Sequence, residues 1–369
     1  MTRLTTLRLT DFRSYAALDL RIEARIVALQ GPNGSGKTNL LEAISLLAPG
    51  RGLRGAKFAE LARRAPAASG GWAVAATLVA TLADETRRFT LGTGIETSGA
   101  DRRKILLDGD PVTAAIAAAN FACVWLTPQM DRLFTEGASA RRRFLDRLTL
   151  ALAPGHASEV AAFEAAAANR NRQIEQHTAD PAWLAVIEDS MARHAAAITA
   201  ARLDLIARLN KTLALGSFAP FPAAQMTLDC PIATRLATEP ALAVEDWLRH
   251  LYATNRIEPS TPVSPQRADL ILTDATGLVA ALASTGQQRA MLVATILAHA
   301  TLVATLRGTA PVLLLDEPFV HLDATHRIAL GTALTRLDAQ IICTATDRDQ
   351  LTPLGPDATI LNVTHGAIH

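Results

Sequence analysis

The sequence predicts an α/β fold that is interrupted by an α-helical insertion. A short apolar strand pattern, IVALQ, is followed by the glycine-rich stretch GPNGSGKT and then by a helix pattern, NLLEAISLLA. Residues 139–215 are rich in alanine and charge and almost free of strand patterns. The last part of the chain again alternates strands with helices, as in PVLLLDEP and AQIICTAT. Such alternation is typical of a sheet covered by helices, so the helical middle indicates an insertion.

The first part of the chain predicts strands on both sides of the glycine-rich stretch. LRLTDF and YAALDLRI alternate polar and apolar residues, and WAVAATLVATL and RRFTLG alternate or run apolar. KILLDGDPV places Asp108 and Gly109 between two short strands, which is a hairpin pattern. We therefore expect a mixed sheet with helices and, beside it, an antiparallel β-subdomain.

The middle of the chain predicts long helices. ARRRFLDRLTLAL places Phe144, Leu145 and Leu148 on one helix face and its arginines elsewhere. We expect breaks near residues 153–155 and 177–181 and a less regular, proline-rich region over residues 216–265. No heptad pattern persists long enough to predict a coiled coil. The predicted organisation is a discontinuous head domain, 1–125 and 266–369, with an inserted helical lobe or arm at 126–265.

Composition excludes several classes of protein. The chain has 369 residues, of which 49% are hydrophobic, and 36 basic residues balance 35 acidic ones. A large core is therefore available, and any basic surface must be local. The three cysteines are too scattered for a zinc site or a disulfide framework, which favours a reducing compartment. The most apolar run, residues 291–306, is too short to span a membrane and predicts a buried helix. We expect a cytoplasmic protein without a membrane partner.

The glycine-rich stretch matches the complete phosphate-loop pattern. Glycines allow backbone N–H groups to turn towards phosphate oxygens, and the following helix adds a favourable dipole. The pattern predicts that Lys37 reaches the β- and γ-phosphates of ATP and that Thr38 supplies a hydroxyl to Mg²⁺. The residues predicted to contact the nucleotide are Gly31, Pro32, Asn33, Gly34, Ser35, Gly36, Lys37, Thr38 and Asn39.

The strand VLLLDEP predicts the second half of a hydrolytic site. Its four apolar residues end in Asp316, whose carboxylate is placed to hold Mg²⁺ through water. Glu317 follows and is predicted to orient and deprotonate the attacking water. An apolar strand that ends in Asp-Glu is common by itself. Together with the phosphate loop upstream, it indicates a nucleotide-hydrolysing site. The predicted catalytic residues are Glu317, Asp316 and Lys37.

A third motif, LASTGQQRA, resembles the LSGGQ signature of the ATP-binding-cassette superfamily. Ser284, Gly286 and Gln287 fall in register with that signature, and the strand LLLDEP and the loop HLD follow in the superfamily's order. The resemblance implies that these residues bind the γ-phosphate held by a second subunit, so that two ATP molecules are sandwiched in a homodimer. Taken alone, the same string would also fit a polar helix cap.

Several further motifs resemble the RecF family of recombination mediators. They are TDFRSYAALDLRI with GPNGSGKTNLLEAI, TPQMDRLFTEGASARRRFLD, SPQRADL and LLLDEPFVHLDATHRIAL. They span nearly the whole length. The resemblance implies a cassette-type ATPase head with an inserted helical arm, too short for a condensin-like protein.

The chain departs from the family pattern at a few positions. Gln129 stands where an acid is usual and is a candidate for the glutamine that senses Mg²⁺. Gln266 replaces the usual histidine. No switch histidine follows ICTATD, so Thr346 or Asp347 would have to serve.

Several basic residues and histidines fit either a functional contact or an ordinary surface position. Two basic groups, the arginine run at 141–143 and the basic residues of the loop GRGLRGAK, are candidates for DNA contact. A solvated or ion-paired face explains such residues as well. Arg267, in a family motif, is a further candidate. Histidines 156, 177 and 194 lack ligand partners nearby in the sequence and are expected at the surface. The candidate DNA-contacting residues are Arg51, Arg54, Lys57, Arg141 and Arg142.

The resemblance implies an ATP-dependent DNA clamp. ATP and Mg²⁺ would join two subunits around duplex DNA at the edge of a single-stranded gap, and RecR-like and RecO-like partners would help to load the recombinase RecA. Weak, DNA-dependent ATP hydrolysis would reset the clamp. DNA would be held mainly through its phosphates.

Three other functions remain open on the sequence alone. A transporter ATPase subunit fits the three motifs but not the long helical insertion. A phage-defence ATPase with a nuclease fits the head but leaves little chain for a nuclease domain. An ATP-binding protein without turnover is disfavoured by Glu317 and Ser284.

Overall fold

The computed structural model describes residues 2–65, 68, 70–82, 85–96, 103–176, 180–257, 261, 263–364 and 366–368. The chain forms two compact units. The head unit comprises Met1–Arg132, Thr212–Ala223 and Ala283–His369, and the insert unit comprises Leu133–Lys211 and Ala224–Leu282. The sequence-based division placed these boundaries at 125/126 and 265/266.

The elements are numbered in chain order. The strands are β1 (Thr2–Phe12), β2 (Tyr15–Arg21), β3 (Ile26–Gln30), β4 (Trp72–Leu82), β5 (Glu85–Ile95), β6 (Lys104–Leu107), β7 (Asp110–Pro111), β8 (Cys123–Leu126), β9 (Gln225–Asp229), β10 (Asp269–Thr273), β11 (Val312–Leu315), β12 (Ile341–Ala345), β13 (Ala358–Thr364) and β14 (Ala367–Ile368). The helices are α1 (Lys37–Ser45), α2 (Ala114–Asn120), α3 (Ala138–Leu152), α4 (His156–Glu175), α5 (Pro181–Ala214), α6 (Pro231–Leu236), α7 (Ala241–Thr254), α8 (Thr285–Arg307) and α9 (Ala324–Arg336).

The head unit is built on a largely parallel sheet with the strand order β14-β13-β3-β12-β11-β8. Four adjacent strands of this sheet, β3, β12, β11 and β8, are buried along almost their whole length, which explains their continuous apolar sequences. In the register of the sheet, Leu315 pairs with both Leu126 and Cys343, and Gln30 pairs with Ala345. The carboxyl ends of β3, β8, β11 and β12 therefore meet at one edge of the sheet.

The antiparallel β-subdomain is present, with the strand order β2-β1-β4-β5-β6-β7. Asp108 and Gly109 form the predicted hairpin turn between β6 and β7, and both have positive φ. Gln340 joins this sheet to the parallel one, because its buried side-chain amide bonds both the N–H and the C=O of Leu4. The predicted fold class, an α/β ATPase head with an antiparallel β-subdomain and an inserted helical lobe, is confirmed.

The apolar helix α8 lies inside the head unit. Among the described residues it is the one helix long and apolar enough to cross a membrane by length and composition, and 78% of its most apolar window is buried. A buried core helix of this kind accounts for the apolar sequence of residues 291–306, as predicted.

The insert unit is mainly helical. The break predicted near residues 153–155 is confirmed, since α3 ends at Leu152 and α4 begins at His156. The break predicted at 177–181 falls partly outside the described residues, between the end of α4 and the start of α5 at Pro181. The region 216–265 is more regular than the sequence suggested, because it contains β9, α6 and α7, and β9 pairs antiparallel with β10.

Two of the histidines expected at the surface are engaged inside the insert unit. His156 is buried, and its Nε2 lies 2.8 Å from Asp146 Oδ1. Arg202 donates two hydrogen bonds to the same carboxylate. Burial opposes ionisation of Asp146, but the bonds from His156 and Arg202 outweigh it and lower its pKa below the usual range. His194 bonds Glu159 at 2.7 Å, and His177 lies outside the described residues. The surface prediction is wrong for His156, because its carboxylate partner Asp146 lies on α3 and no local pattern indicates that the two meet.

A buried ion cluster joins three segments of the insert unit. Arg170 of α4 is fully buried and donates to Glu188 of α5 and to the carbonyl oxygens of Tyr252 and Asn255. Arg256 also pairs with Glu188. Buried charges are stable only when paired, so Glu188 is the shared anion that permits both arginines.

We predict that Glu188→Gln destabilises the insert unit by about 3 kcal/mol, because it leaves Arg170 buried without a charged partner. Urea unfolding followed by far-UV circular dichroism would measure this loss. Asp204→Asn is the matched control, since Asp204 lies on the same helix in an exposed pair with Arg208. Equal unfolding midpoints for the two variants would contradict the role assigned to Glu188.

Candidate nucleotide-binding and hydrolysis site

The phosphate loop runs from the end of β3 to the start of α1. Gly36 has a φ of 113°, and a Cβ there would lie 2.7 Å from the hydroxyl oxygen of Tyr15. A Cβ on Gly31 would overlap the carbonyl oxygen of Val363. Both positions therefore require glycine. The hydroxyl of Tyr15 also donates to the carbonyl of Gly36, which fixes the loop where α1 begins.

Lys37 lies at the centre of this loop. Its Nζ donates to the carbonyl oxygens of Gly31 at 2.6 Å and Pro32 at 3.0 Å. Burial lowers the pKa of Lys37, while the nearby charges of Glu317 and Asp316 partly oppose that shift. The loop backbone thus surrounds the ammonium group of Lys37 at the N-terminus of α1. This arrangement fits the phosphates of a nucleotide.

The carboxylate of Asp316 connects the loop to the sheet. Asp316 is buried at the end of β11, and its Oδ1 accepts hydrogen bonds from Thr38 Oγ1 at 3.0 Å and Thr344 Oγ1 at 2.7 Å. A hydroxyl and a carboxylate beside a phosphate site are the hard oxygen ligands that Mg²⁺ prefers. Across the part of the chain that the structure describes, no three His, Cys, Asp or Glu side chains form a metal site. The donor set fits Mg²⁺ that shares its ligands with a nucleotide.

Glu317 is half-buried and has an uncommon backbone conformation, with a φ of 49°. Its N–H donates to Thr344 Oγ1 at 2.9 Å, and its C=O accepts from Arg289 at 3.3 Å. Sequence reasoning missed both of these partners. Two polar residues in apolar segments could have indicated these partners. They are the threonine of the strand IICTA and the arginine of the helix α8.

The signature residues begin α8. Ser284 is the N-cap, and its Oγ accepts from the N–H of Gln287 while the Gln287 side chain accepts from the N–H of Ser284. This capping box satisfies two N–H groups of the helix end. Ser284, Gly286 and Gln287 are exposed. Within one chain the string is a helix cap, and its contact with a partner's phosphate stays a prediction.

The remaining predicted site residues lie at the same edge of the sheet. Gln129 is exposed in the 3-10 turn Pro128–Arg132 that follows β8. Thr346 and Asp347 follow β12 and line a cleft of about 550 Å³ together with residues 30–33 of the phosphate loop. The structure places Thr346 and Asp347 beside the loop, and the roles of Gln129 in sensing Mg²⁺ and of the other two in switching stay predictions.

The predicted DNA-contacting residues differ in how many hydrogen bonds they already make within the chain. Arg54 bonds Asn39 and the buried carboxylate of Glu42. Arg51 and Lys57 are exposed, and Arg51 lines a cavity of about 650 Å³.

On the insert unit, Arg141 makes two bonds of 2.7 Å to Asp269, and the hydrogen bond to that carboxylate raises its pKa. Arg142 donates to the carbonyl of Ala268. Gln266 donates to Glu164, and Arg267 is exposed. Arg141 and Arg142 therefore connect α3 to the segment that leads into β10, and their contact with DNA stays a prediction.

We predict that Gly31→Ala weakens nucleotide binding at least about tenfold, because its Cβ displaces the loop from Val363 and so moves the amides that face the phosphates. Titration with a fluorescent ATP analogue measures the affinity. Gly137→Ala is the control, since a Cβ there meets nothing within 4 Å. Unchanged affinity in Gly31→Ala would contradict the loop geometry described above.

The chain is similar to known proteins over its whole length. The family model for the RecF/RecN/SMC N terminal domain matches residues 3–367. The DNA replication and repair protein RecF of Rhizobium rhizogenes is 42% identical over 373 residues, covering 99% of this chain and 98% of that protein. RecF of Brucella suis biovar 1 is 41% identical over 370 residues, covering 98% of this chain and 94% of that protein.

Solved structures show the same fold. The recombination mediator protein RecF–ATP of the RecFOR pathway has a TM-score of 0.82 at 20% identity and covers 100% of this chain and 99% of its own. An Smc head bound to the C-winged helix domain of ScpA has a TM-score of 0.55 at 15% identity and covers 99% of this chain and 95% of its own. Sequence identity above 40% over the full length, together with the family model, shows that this chain belongs to the RecF family of DNA replication and repair proteins.

Proposed function

We propose that this chain is an ATP-dependent, dimerising DNA clamp that acts at single-strand gaps during repair. One observation carries the proposal. The phosphate loop, Thr38, Asp316 and Glu317 form a nearly complete hydrolytic site, while the signature residues stay exposed at the start of α8. A site with exposed parts of this kind is completed by a second copy of the chain, as the resemblance to cassette ATPases implies.

ATP binding would begin at the phosphate loop. The ammonium of Lys37, which bonds Gly31 and Pro32 in this structure, would turn to the β- and γ-phosphate oxygens. Thr38 and Asp316 would hold Mg²⁺, Asp316 through water, and the ion would neutralise charge on the phosphates. The hydrogen bond of 3.0 Å between Thr38 and Asp316 already holds the hydroxyl and the carboxylate side by side.

Hydrolysis would depend on Glu317. Its carboxylate would accept a proton from the attacking water, and its backbone is held by Thr344 and Arg289. We propose that turnover is slow and DNA-dependent, so that ATP holds the dimer together for a period that hydrolysis ends. Loss of the γ-phosphate would remove the anion that Ser284 of the second copy binds.

DNA binding would rest mainly on phosphate contacts, in which shape matters more than sequence. The RecFOR pathway of the structural relative supports RecR-like and RecO-like partners. We further propose an indirect role in loading the recombinase RecA. We place the protein in the cytoplasm, where these proposed partners and the chromosome are found.

We predict that wild-type protein forms dimers when ATP is added, that Glu317→Gln forms more persistent dimers, and that Lys37→Met and Ser284→Arg stay monomeric. Glu317→Gln would keep the γ-phosphate uncleaved. Lys37→Met would not hold the nucleotide, and Ser284→Arg would block access to the partner's phosphate. Sedimentation with ATP and gapped DNA measures the oligomeric state.

Ser158→Arg provides the control, because Ser158 is also exposed near a helix N-terminus but lies in the insert unit. Normal dimerisation of Ser284→Arg with ATP would show that the signature does not act on a second subunit.

We predict that Arg51→Ala weakens binding to gapped duplex DNA and reduces the slope of log affinity against log salt by about 0.9, the value for one phosphate contact. Arg51 is exposed, whereas Arg54 is held by Asn39 and Glu42. Fluorescence anisotropy over a series of salt concentrations measures the slope. Arg208→Ala is the control, since Arg208 is an exposed arginine of α5 that pairs with Asp204. An unchanged slope for Arg51→Ala would remove Arg51 from the DNA surface.

A further inference from the structure

We propose that Arg289 is a positioning residue that holds the backbone of Glu317 and connects it to the signature residues of the same chain. The inference deepens the proposed function, on which it rests. Arg289 lies on α8 within the second turn after Ser284, and its side chain is 1% exposed.

The guanidinium of Arg289 joins two loops at the edge of the parallel sheet. One nitrogen donates to Asp131 Oδ1 at 2.6 Å, and another donates to the carbonyl oxygen of Glu317 at 3.3 Å. Asp131 belongs to the 3-10 turn after β8, which also carries Gln129. Three parts of the site thus converge on one planar cation. Because arginine has several donors in a fixed plane, it can bond both loops at once.

The conformation of Glu317 explains why its backbone needs such a contact. A φ of 49° is uncommon for a residue with a side chain, and the surrounding structure must hold it. Thr344 holds the N–H of Glu317 from β12, and Arg289 holds its C=O from α8. Without the second contact, the residue is free to return to a negative φ, which turns its carboxylate away from the position beside Asp316.

The buried position of Arg289 favours this role over a plain stabilising one. A buried ion pair seldom adds stability relative to apolar side chains, so its presence calls for another reason. The bonds that the structure describes for the Arg289 guanidinium go to Asp131 and to the carbonyl oxygen of Glu317, in the two loops that border the phosphate site.

The same helix connects Arg289 to the signature. The capping box makes Ser284 and Gln287 part of α8, and an α-helix moves as a stiff rod over so few residues. In the proposed dimer, Ser284 binds the ATP of the partner, whereas Glu317 acts on the ATP of its own chain. A shift of α8 towards the partner's phosphate would therefore alter the contact between Arg289 and Glu317. This would link the two ATP sites of the dimer.

The first experiment separates positioning from folding and from binding. Arg289→Lys keeps a cation beside Asp131 but cannot bond both loops. We expect ATP affinity, ATP-driven dimerisation and the thermal midpoint to stay near wild type, while single-turnover hydrolysis falls about 10- to 100-fold. Thr344→Val removes the other contact with Glu317 and also the hydrogen bond to Asp316, so it is expected to lower the same rate at least as much, and Thr344→Ser, which keeps both bonds, is expected to restore it.

The control uses Glu317→Gln as the background. If Arg289 acts through Glu317, Arg289→Lys causes little further loss once the carboxylate is gone. An equal loss in both backgrounds, or a loss that follows reduced dimerisation or ATP affinity, would overturn the positioning role. Sedimentation of the wild-type protein tests the proposed function separately, because hydrolysis by a monomer would contradict the clamp. Even then, the effect of Arg289→Lys in the wild-type background compared with the Glu317→Gln background would decide the role of Arg289.

The second experiment tests the connection to the signature. Ser284→Ala and Arg289→Lys are measured singly and together for single-turnover hydrolysis at saturating ATP. We expect the combined loss to be smaller than the product of the two single losses, because both changes interrupt one mechanical connection. Independent, multiplying losses would show that Arg289 braces Glu317 without transmitting the state of the signature.

Discussion

The hydrogen bonds to the Asp316 carboxylate are the interaction on which the site depends. One oxygen accepts from Thr38 on the first turn of α1 and from Thr344 on β12, and Asp316 itself ends β11. These bonds bring the phosphate loop, two strands of the parallel sheet and Glu317, the proposed general base, into one arrangement. A buried carboxylate is costly unless it is paired, so each of these partners is needed for the fold as well as for the chemistry.

The insert unit uses its charges mainly within itself. Arg170, Glu188 and Arg256 form one buried cluster, and Asp146 collects bonds from His156 and Arg202. The pair of Arg141 and Asp269 connects α3 to β10 in the same way. These ion pairs lie beside an apolar core that includes Phe144, Phe163 and Met191, and their directed hydrogen bonds add specific connections between the helices.

The signature illustrates how one set of atoms serves two purposes. In a single chain Ser284 and Gln287 cap α8, which satisfies N–H groups that every helix leaves unpaired at its start. The same positive end of the helix is suited to an anion that arrives from outside. In the proposed dimer, a modest exchange of hydrogen bonds would convert this stable helix end into a phosphate-binding surface, without any change in fold.

Residue patterns predict the strands and helices that flank the phosphate loop, the loop itself, the acidic strand end and the presence of a helical insertion, but they do not predict β9, α6 and α7. These features are written in local patterns, since strand, loop and helix periodicities depend on neighbouring residues. Only the tertiary structure decided that Thr344 binds Asp316, that Arg289 holds Glu317 and that Arg141 pairs with Asp269. These contacts join residues far apart in the chain. The first two follow from the register of β11 with β12 and the burial of α8, and the third follows from the packing of α3 against β10. No periodicity in the sequence carries that information, because a polar side chain in an apolar segment does not indicate which distant group it will meet.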